Sequence, residues 1–274
     1  RANNLLLNID KISFKSEDTK KKIIGQAKFL RALYYFTLMR FYDHIVVIRE
    51  TDNLNEETPS NQGTDDAAWA LIEEDLQYAE SVLPVRWGDS DGGRATKGAA
   101  MAMLSKVYLT QAGWPWNKAG FWEKAASKTT EIINNEGAFG YGLEDNFRRI
   151  FDVTNEHGKE YIFDVEYQTN INGQDIPALS GMRGYNIKKT DGWSSFISTP
   201  EFYKSYEVGD KRLSTTFVTE FTDMKNGKHY IYDPDNVTEP SFPLCHFAKY
   251  LDPNDNQSTK AGDYGCNWKV VRYA

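Results

Sequence analysis

The stretch QAKFLRALYYFTLMRFY, Gln26 to Tyr42, decides how the rest of the chain is read. Its only charges are Lys28, Arg31 and Arg40. Ala27, Leu30, Tyr34, Leu38 and Phe41 recur at helical spacing, and Phe29, Leu33 and Phe36 form a second stripe. A helix apolar on two faces is expected to lie buried between neighbours. Three further helices follow from the same periodicity. Residues 66–83 have Asp65 or Asp66 as N-cap, Pro84 as stop and Trp69, Ile72, Leu76, Ala79 and Leu83 on one face. The next runs from a Thr96 cap to Ala112, where Gly113 and Pro115 end it, with Ala100, Met103, Leu104, Val107 and Gln111 on one side. The last spans about 121–135, with Trp122, Ala125, Ala126, Thr129 and Ile133 predicted inward.

Trp69-x-x-Ile72 and Trp122-x-x-Ala125-Ala126 each open a helix, and each follows a helix rich in Ala with a late Tyr, Tyr34 or Tyr35 and Tyr108. Interlocking large and small positions of this kind mark tetratricopeptide-type stacking. The period is irregular, and a generic helical bundle fits the same pattern. Residues 26–135 are therefore expected to form paired antiparallel helices with Tyr34, Tyr35, Trp69 and Trp122 mainly in the core. Trp114 and Trp116, in a tight Gly-Trp-Pro-Trp turn, are expected to pack rather than to meet a ligand.

Past residue 140 the character changes. Tyr161, Phe163, Val165 and Tyr167 alternate with Ile162, Asp164 and Glu166, as in a half-buried strand. Thr199-Pro200 reads as a helix start, Thr at the N-cap and Pro at N1. The rest is rich in Gly, Asn and Pro, and its aromatic residues argue against disorder. The fold class expected is mainly α: tetratricopeptide-repeat-like helical pairs, then a loop-rich second half with a few short strands.

The 274 residues carry a net charge of -7, which argues against a general nucleic-acid or anionic-membrane surface. Seven Trp and sixteen Tyr are many for this length. A flat ring stacks on the apolar face of a pyranose and keeps its N–H or O–H for a hydroxyl, so this content points modestly toward carbohydrate. No stretch approaches a membrane span, and no signal peptide opens the chain. Its abrupt ends, Arg1-Ala2-Asn3 and Arg272-Tyr273-Ala274, read as those of a fragment or a processed chain.

Reactive chemistry is sparse in the pattern. Cys245 and Cys266 fit no zinc spacing; two buried thiols or one disulfide both remain open. His44, His157, His229 and His246 share no metal-binding helical face. There is no GxSxG, GxxxxGK[ST] or GxGxxG, and no signature selects a pair of carboxylates for glycoside hydrolysis. Asp252, Asn254, Asn256 and Asp263 follow a calcium-loop register, but Gln257 stands where that loop needs Gly. A plain exposed loop is the stronger reading, and no metal or cofactor is assigned.

Several segments together resemble the SusD/RagB family of outer-membrane glycan-binding lipoproteins. Arg1-Ala2-Asn3-Asn4-Leu5-Leu6 is similar to an early family stretch, and Ala27-Lys28-Phe29-Leu30-Arg31-Ala32-Leu33-Tyr34-Tyr35 through Arg40-Phe41-Tyr42-Asp43 to its most recognisable signature. Gly93-Arg94-Ala95-Thr96-Lys97-Gly98-Ala99-Ala100 through Tyr108-Leu109, then Glu160-Tyr161-Ile162-Phe163, Gly209-Asp210-Lys211-Arg212, Lys249-Tyr250 and Val271-Arg272-Tyr273-Ala274 follow in the family's order. The resemblance implies a single SusD-like domain over 1–274, with a helical scaffold at 1–140 and a loop-rich, ligand-facing half at 141–274. It also implies family segments on both sides of the sequence, lipid anchoring at the cell surface and pairing with a SusC-like TonB-dependent transporter.

The function expected is capture of an oligo- or polysaccharide for delivery to that transporter, with no bond made or broken. A carboxylate-dependent glycoside hydrolase and a helical-repeat protein–protein adaptor are the alternatives. The ligand platform is expected at Trp193, with Tyr185 and Asn186 beside it and Trp87 as a weaker candidate. Trp193 sits in the polar turn Asp191-Gly192-Trp193-Ser194-Ser195 with no apolar periodicity to bury it. The competing reading is that it plugs this loop against the scaffold.

Overall fold

A computed structural model of the protein describes residues 1–42, 44–52, 59–88, 91–185, 192–236, 241–242, 244–251 and 262–274. They form two compact units, Arg1–Tyr141 and Gly142–Ala274.

The first unit is helical: α1 (Ala2–Asn8), α2 (Glu17–Phe41), α3 (Asp65–Val82), α4 (Lys97–Ala112), α5 (Phe121–Asn134) and the single turn α6 (Glu136–Phe139). Successive helices pack pairwise, α2 on α3, α3 on α4 and α4 on α5, which is the tetratricopeptide-like arrangement expected. The starts are chemically defined. Ser16 Oγ accepts the Asp18 N–H at the head of α2, and Thr96 Oγ1 accepts the Ala99 N–H at the head of α4. Trp69, Ile72, Leu76, Ala79 and Leu83 are buried together, as are Ala100, Met103, Leu104, Val107 and Gln111. Helix α4 is enclosed nearly all round, and its Ala, Gly and Met residues allow that close approach.

Two core assignments fail, each for a geometric reason. Tyr34 is 62% exposed, and Leu30, Leu38 and Phe41 on the same stripe are exposed with it. Helix α2 buries the opposite side, Phe29, Ala32, Phe36 and Met39, against α3. Tyr35 is half-buried and exchanges hydrogen bonds with the Ile48 backbone, 3.0 Å to its carbonyl and 2.9 Å from its N–H. Trp122 is 57% exposed because the inward phase of α5 lies one residue earlier. Phe121 turns in, edge-on to Tyr108 at 5.8 Å, and Ala125 and Ile132 follow it inward. Ala126 and Ile133 face out, while Thr129, though exposed, keeps its hydroxyl 2.6 Å from Ser105 Oγ on α4.

One buried polar knot crosses this unit. Asp75, fully buried on α3, receives Arg31 through Nε at 2.6 Å and Nη2 at 2.9 Å, and Lys28 Nζ at 2.8 Å. Arg31 also reaches Glu50 Oε2 at 2.5 Å and Asn3 Oδ1 at 2.8 Å. Burial works to lower the Arg31 pKa, but the bonds to Asp75 and Glu50 outweigh it and hold the guanidinium above its ordinary value.

The second unit is built from short pieces. Strand β1 (Tyr161–Val165) pairs antiparallel with β7 (Trp268–Arg272), β2 (Ile197–Ser198) with β6 (Cys245–His246), and β3 (Glu220–Thr222) with β4 (His229–Tyr232), which takes β5 (Ser241–Phe242) in parallel. Among the described residues three short α-helices intervene: α7 (Ile176–Ser180), α8 (Pro200–Lys204) and α9 (Leu213–Thr216). The predicted Thr199-Pro200 start is α8, with Thr199 Oγ1 accepting the Phe202 N–H at 3.2 Å. Phe217 centres one core with Met182, Val218, Phe221, Tyr230, Tyr232 and Cys245; Ala178, Tyr264 and Cys266 form a second.

The predicted alternation in β1 does not hold. Ile162, Phe163 and Asp164 are buried in succession and Val165 is exposed. The pairing with β7 shifts register on both sides of Phe163, and Lys269 Nζ, 2.6 Å from Asp164 Oδ2, draws that carboxylate inward.

Candidate functional site

The Trp193 turn is held from below by the C-terminal end of α7. The Trp193 N–H donates to the Ala178 carbonyl at 2.7 Å, and the Ser195 and Phe196 N–H groups both donate to Leu179 O, at 2.8 and 2.9 Å. Ser194 N–H donates to Gly181 O at 2.9 Å and Gly192 N–H to Met182 O at 3.0 Å. The two backbones meet so closely at Gly181 and Gly192 that a side chain on Gly192 would run into the Gly181 main chain. These bonds satisfy the carbonyls that a helix end leaves free, and they fix the direction from which the Trp193 side chain leaves the turn.

That side chain is 41% exposed, so the indole is neither a core plug nor a loose surface group. Its Cη2 edge borders Gly262, whose φ of +81° and tight surroundings suit glycine alone; a Cβ there would stand 3.1 Å from Trp193 Cη2 and 2.6 Å from Asp175 Oδ1. An exposed carboxylate on Asp175 thus flanks the same glycine as the ring. A ring with one edge fixed and an acceptor nearby can stack on a pyranose and take a hydroxyl hydrogen bond.

The other sequence candidates fall elsewhere. Tyr185 is half-buried, edge-on to Phe221 at 5.5 Å and Tyr230 at 5.2 Å, and supports the Phe217 core. Asn186 lies outside the described residues. Trp87, in the first unit, gives its indole N–H to Ala95 O at 2.8 Å, and the Arg94 guanidinium lies 5.8 Å from its ring. The packing expected of the Gly-Trp-Pro-Trp turn holds for Trp116, edge-on to Trp69 at 5.0 Å, but not for Trp114, which is 87% exposed. The turn, whose Trp114–Pro115 bond is cis, sends the two rings to different environments. Of the calcium-like register, Asp252, Asn254 and Asn256 lie outside the described residues; Asp263 accepts the Asn170 N–H at 3.0 Å. Among the described residues no group of three or more His, Cys, Asp or Glu is arranged to hold a metal, and Cys245 and Cys266 are buried and are not joined by a disulfide.

Periodicity did not reveal His246. It is buried beneath the Trp193 turn, with Nε2 2.9 Å from Ser194 Oγ and Nδ1 3.0 Å from Leu244 O. Asp175 and the exposed Trp268, stacked on Tyr250 at 5.6 Å, were equally invisible, because nothing local distinguishes them.

A second polar group in this unit surrounds the β1–β7 pair. Glu144, Asn155, His157, Glu160, Lys269 and Arg272 line a depression of about 250 Å³, part of it open to solvent. Nearby, burial raises the Asp164 carboxyl to about 6 against the pull of Lys269, and raises Glu156 to about 7 against the Asn267 N–H bond and the charges of Lys269 and His157, with Asp164 adding to the rise. Glu156 Oε1 accepts that N–H at 3.0 Å, which a glutamine oxygen can also do. A carboxyl with a raised folded pKa binds more protons folded than unfolded, so its contribution is present near pH 4 and is lost as pH rises through about 7. Glu156→Gln is therefore expected to stabilise the protein at pH 8 by on the order of 1 kcal/mol after solvent screening, and to leave it unchanged at pH 4. Thermal midpoints at the two pH values test this, and an equal shift at both would contradict it.

The fold and this site define a class: a tetratricopeptide-like helical unit followed by a loop-rich unit that presents aromatic side chains. Residues 1–109 match the SusD-like family described as "Starch-binding associating with outer membrane". SusD-like protein P2 of Formosa agariphila is 29% identical over all of this chain and 54% of its own length. Among solved structures, a laminarin binding SusD-like protein is 27% identical with a TM-score of 0.78, over 99% of this chain and 61% of that one. A SusD superfamily protein of Parabacteroides distasonis, 25% identical, also superposes with a TM-score of 0.78, over 99% of this chain and 57% of that one. The chain is thus similar to SusD-like proteins along its whole length, and its first 109 residues match the family model. It spans about half the length of the curated relative from Formosa. Among the described residues, no helix is long and apolar enough to cross a membrane.

Proposed function

We propose that the protein captures an oligo- or polysaccharide at the outer-membrane surface, lipid-anchored, and passes it to a SusC-like TonB-dependent transporter without cleaving it. The observation that carries the binding step is the Trp193 indole, half-exposed on a backbone fixed by hydrogen bonds to the end of α7, with the Asp175 carboxylate nearby. Likeness to a laminarin binding SusD-like protein supports the same ligand class. The resemblance to SusD-like proteins supports the surface location and the transporter partner.

Affinity gels loaded with laminarin, xyloglucan and starch test the reading with the full-length protein. Retention by at least one polysaccharide is expected, with no new reducing ends after prolonged incubation. Trp193→Ala is expected to weaken that binding by about 1–3 kcal/mol, by analogy with stacking on other flat ligands, with little change in thermal midpoint. Unchanged affinity, or loss of stability in place of affinity, would return Trp193 to the core.

A further inference from the structure

The Trp193 turn is tied to the rest of its unit through a buried imidazole as well as through main-chain bonds. The Leu244 carbonyl 3.0 Å from His246 Nδ1 can only accept, so Nδ1 carries the proton and Nε2 is left as an acceptor. The Ser194 hydroxyl, 2.9 Å from Nε2 and 3.5 Å from the Gly181 carbonyl, has the imidazole as its closer acceptor and donates to it. Its oxygen in turn accepts the Arg183 N–H at 2.8 Å. The result is a directional relay: Arg183 N–H to Ser194 Oγ, Ser194 O–H to His246 Nε2, His246 Nδ1–H to Leu244 O.

Both ends of this relay are anchored. His246 is 2% exposed and lies in β6, its neighbour Cys245 is buried, and its own carbonyl accepts the Val218 N–H at 2.9 Å. Strand β6 pairs with β2, Ile197 opposite His246, three residues beyond Ser194. Ser194 itself holds φ at +52°, a region that a residue other than glycine leaves unless it is held there. The side chain immediately before it is Trp193.

We propose that Ser194 and His246 form a clasp that positions the Trp193 ring for ligand, making His246 a positioning residue for glycan binding. This rests on the reading of Trp193 as the platform. The clasp selects no sugar by contact; it holds Ser194 in its left-handed conformation and so sets where the indole points. Losing it lets the Ser194 backbone relax toward ordinary φ values and swings the preceding ring off its bearing.

The test uses the full-length protein labelled with 5-fluorotryptophan, the Trp193 resonance being assigned by its loss in Trp193→Phe. Ser194→Ala removes the hydroxyl at almost no cost in volume. His246→Asn keeps a donor for Leu244 O but withdraws the acceptor from Ser194, whereas His246→Gln places an amide oxygen near the former Nε2. Ser194→Ala and His246→Asn are expected to shift or broaden the Trp193 resonance while those of the other tryptophans stay in place. They should also weaken binding of laminarin or xyloglucan oligosaccharides 5- to 50-fold, with the double variant no worse than either single one. His246→Gln should retain most of both readouts. An unmoved Trp193 resonance in Ser194→Ala overturns the clasp, whatever the glycan result. A moved resonance with unchanged affinity overturns its role in binding. Trp193→Ala measured beside them separates the two readings: if it alone loses affinity, the platform stands and the clasp falls, and if it loses none, the platform itself is wrong.

Discussion

Asp75→Ala is expected to destabilise the first unit by about 3–5 kcal/mol, the cost of removing one partner from a buried ion pair. The carboxylate is fully buried and takes two parallel bonds from Arg31 and a third contact from Lys28. Arg31 is buried too, so deletion of Asp75 leaves a desolvated guanidinium with only Glu50 and Asn3 to answer it. Lys28, with a fifth of its side chain exposed, can turn its ammonium to water and loses less. The two ends of the knot therefore behave differently: Lys28→Met should cost well under half as much as Asp75→Ala. Replacing the buried pair together, as Arg31→Met with Asp75→Leu, should recover most of the loss, since apolar groups need no partner. Urea unfolding followed by the far-ultraviolet helical signal measures all three. If Asp75→Ala costs less than about 1 kcal/mol, the pair is solvated and its burial means little.

Much of the helical unit was legible because its signals are local and redundant. The start of α4 needs only Thr96 and the run of small residues after it, and the hydroxyl bond to the Ala99 N–H is the one the pattern implies. The face of α3 was legible for the same reason, five apolar residues with one period and one buried outcome. What failed was phase and partnership. On α2 two apolar stripes were visible, but periodicity does not say which stripe has a neighbour, and the one with Tyr34 faces out. On α5 Phe121 and Trp122 compete for one inward position, and the Trp122-x-x-Ala125-Ala126 pattern favoured the wrong ring. In the second unit the determinants are non-local. Asp164 is buried because Lys269 arrives 105 residues later in the chain, and Ser194, the residue after Trp193, bonds His246, 52 residues beyond it. The sequence marked Trp193 only by the absence of an apolar pattern around it. That was sufficient to expect the ring at the surface, where it is 41% exposed, and insufficient to find what its turn is bonded to, since a histidine between Cys245 and Phe247 has no local feature pointing to a serine in another turn.

The largest effect in the second unit is expected from Phe217→Ala, about 3–5 kcal/mol for emptying a filled aromatic site. Phe217 is wholly buried, and rings surround it: Tyr203 at 5.3 Å, Tyr206 at 5.4 Å, Phe202 at 5.5 Å and Phe247 at 5.7 Å. Three of these come from α8 and the turn after it, and the fourth follows β6, so one side chain joins segments that share few backbone bonds. Small strands of two to five residues supply little cooperative pairing here, which leaves ring packing to carry the unit. Phe217→Leu keeps apolar volume but loses the edge and face contacts, each pair worth about 0.5–1.5 kcal/mol beyond area, so it should fall between wild type and alanine. The consequence reaches the Trp193 turn by a short route. Phe247 bridges Phe217 and directly follows His246, and the Val218 N–H bonds the His246 carbonyl at 2.9 Å. A loosened Phe217 site therefore frees the strand that carries His246, and with it the Ser194 bond. Hydrogen exchange on Phe217→Leu, the milder variant, is expected to show faster exchange at Val218 and at Trp193–Phe196 while α3 and α4 amides keep their protection. Equal acceleration throughout both units would mean that Phe217 stabilises the chain globally and has no special line to the Trp193 turn.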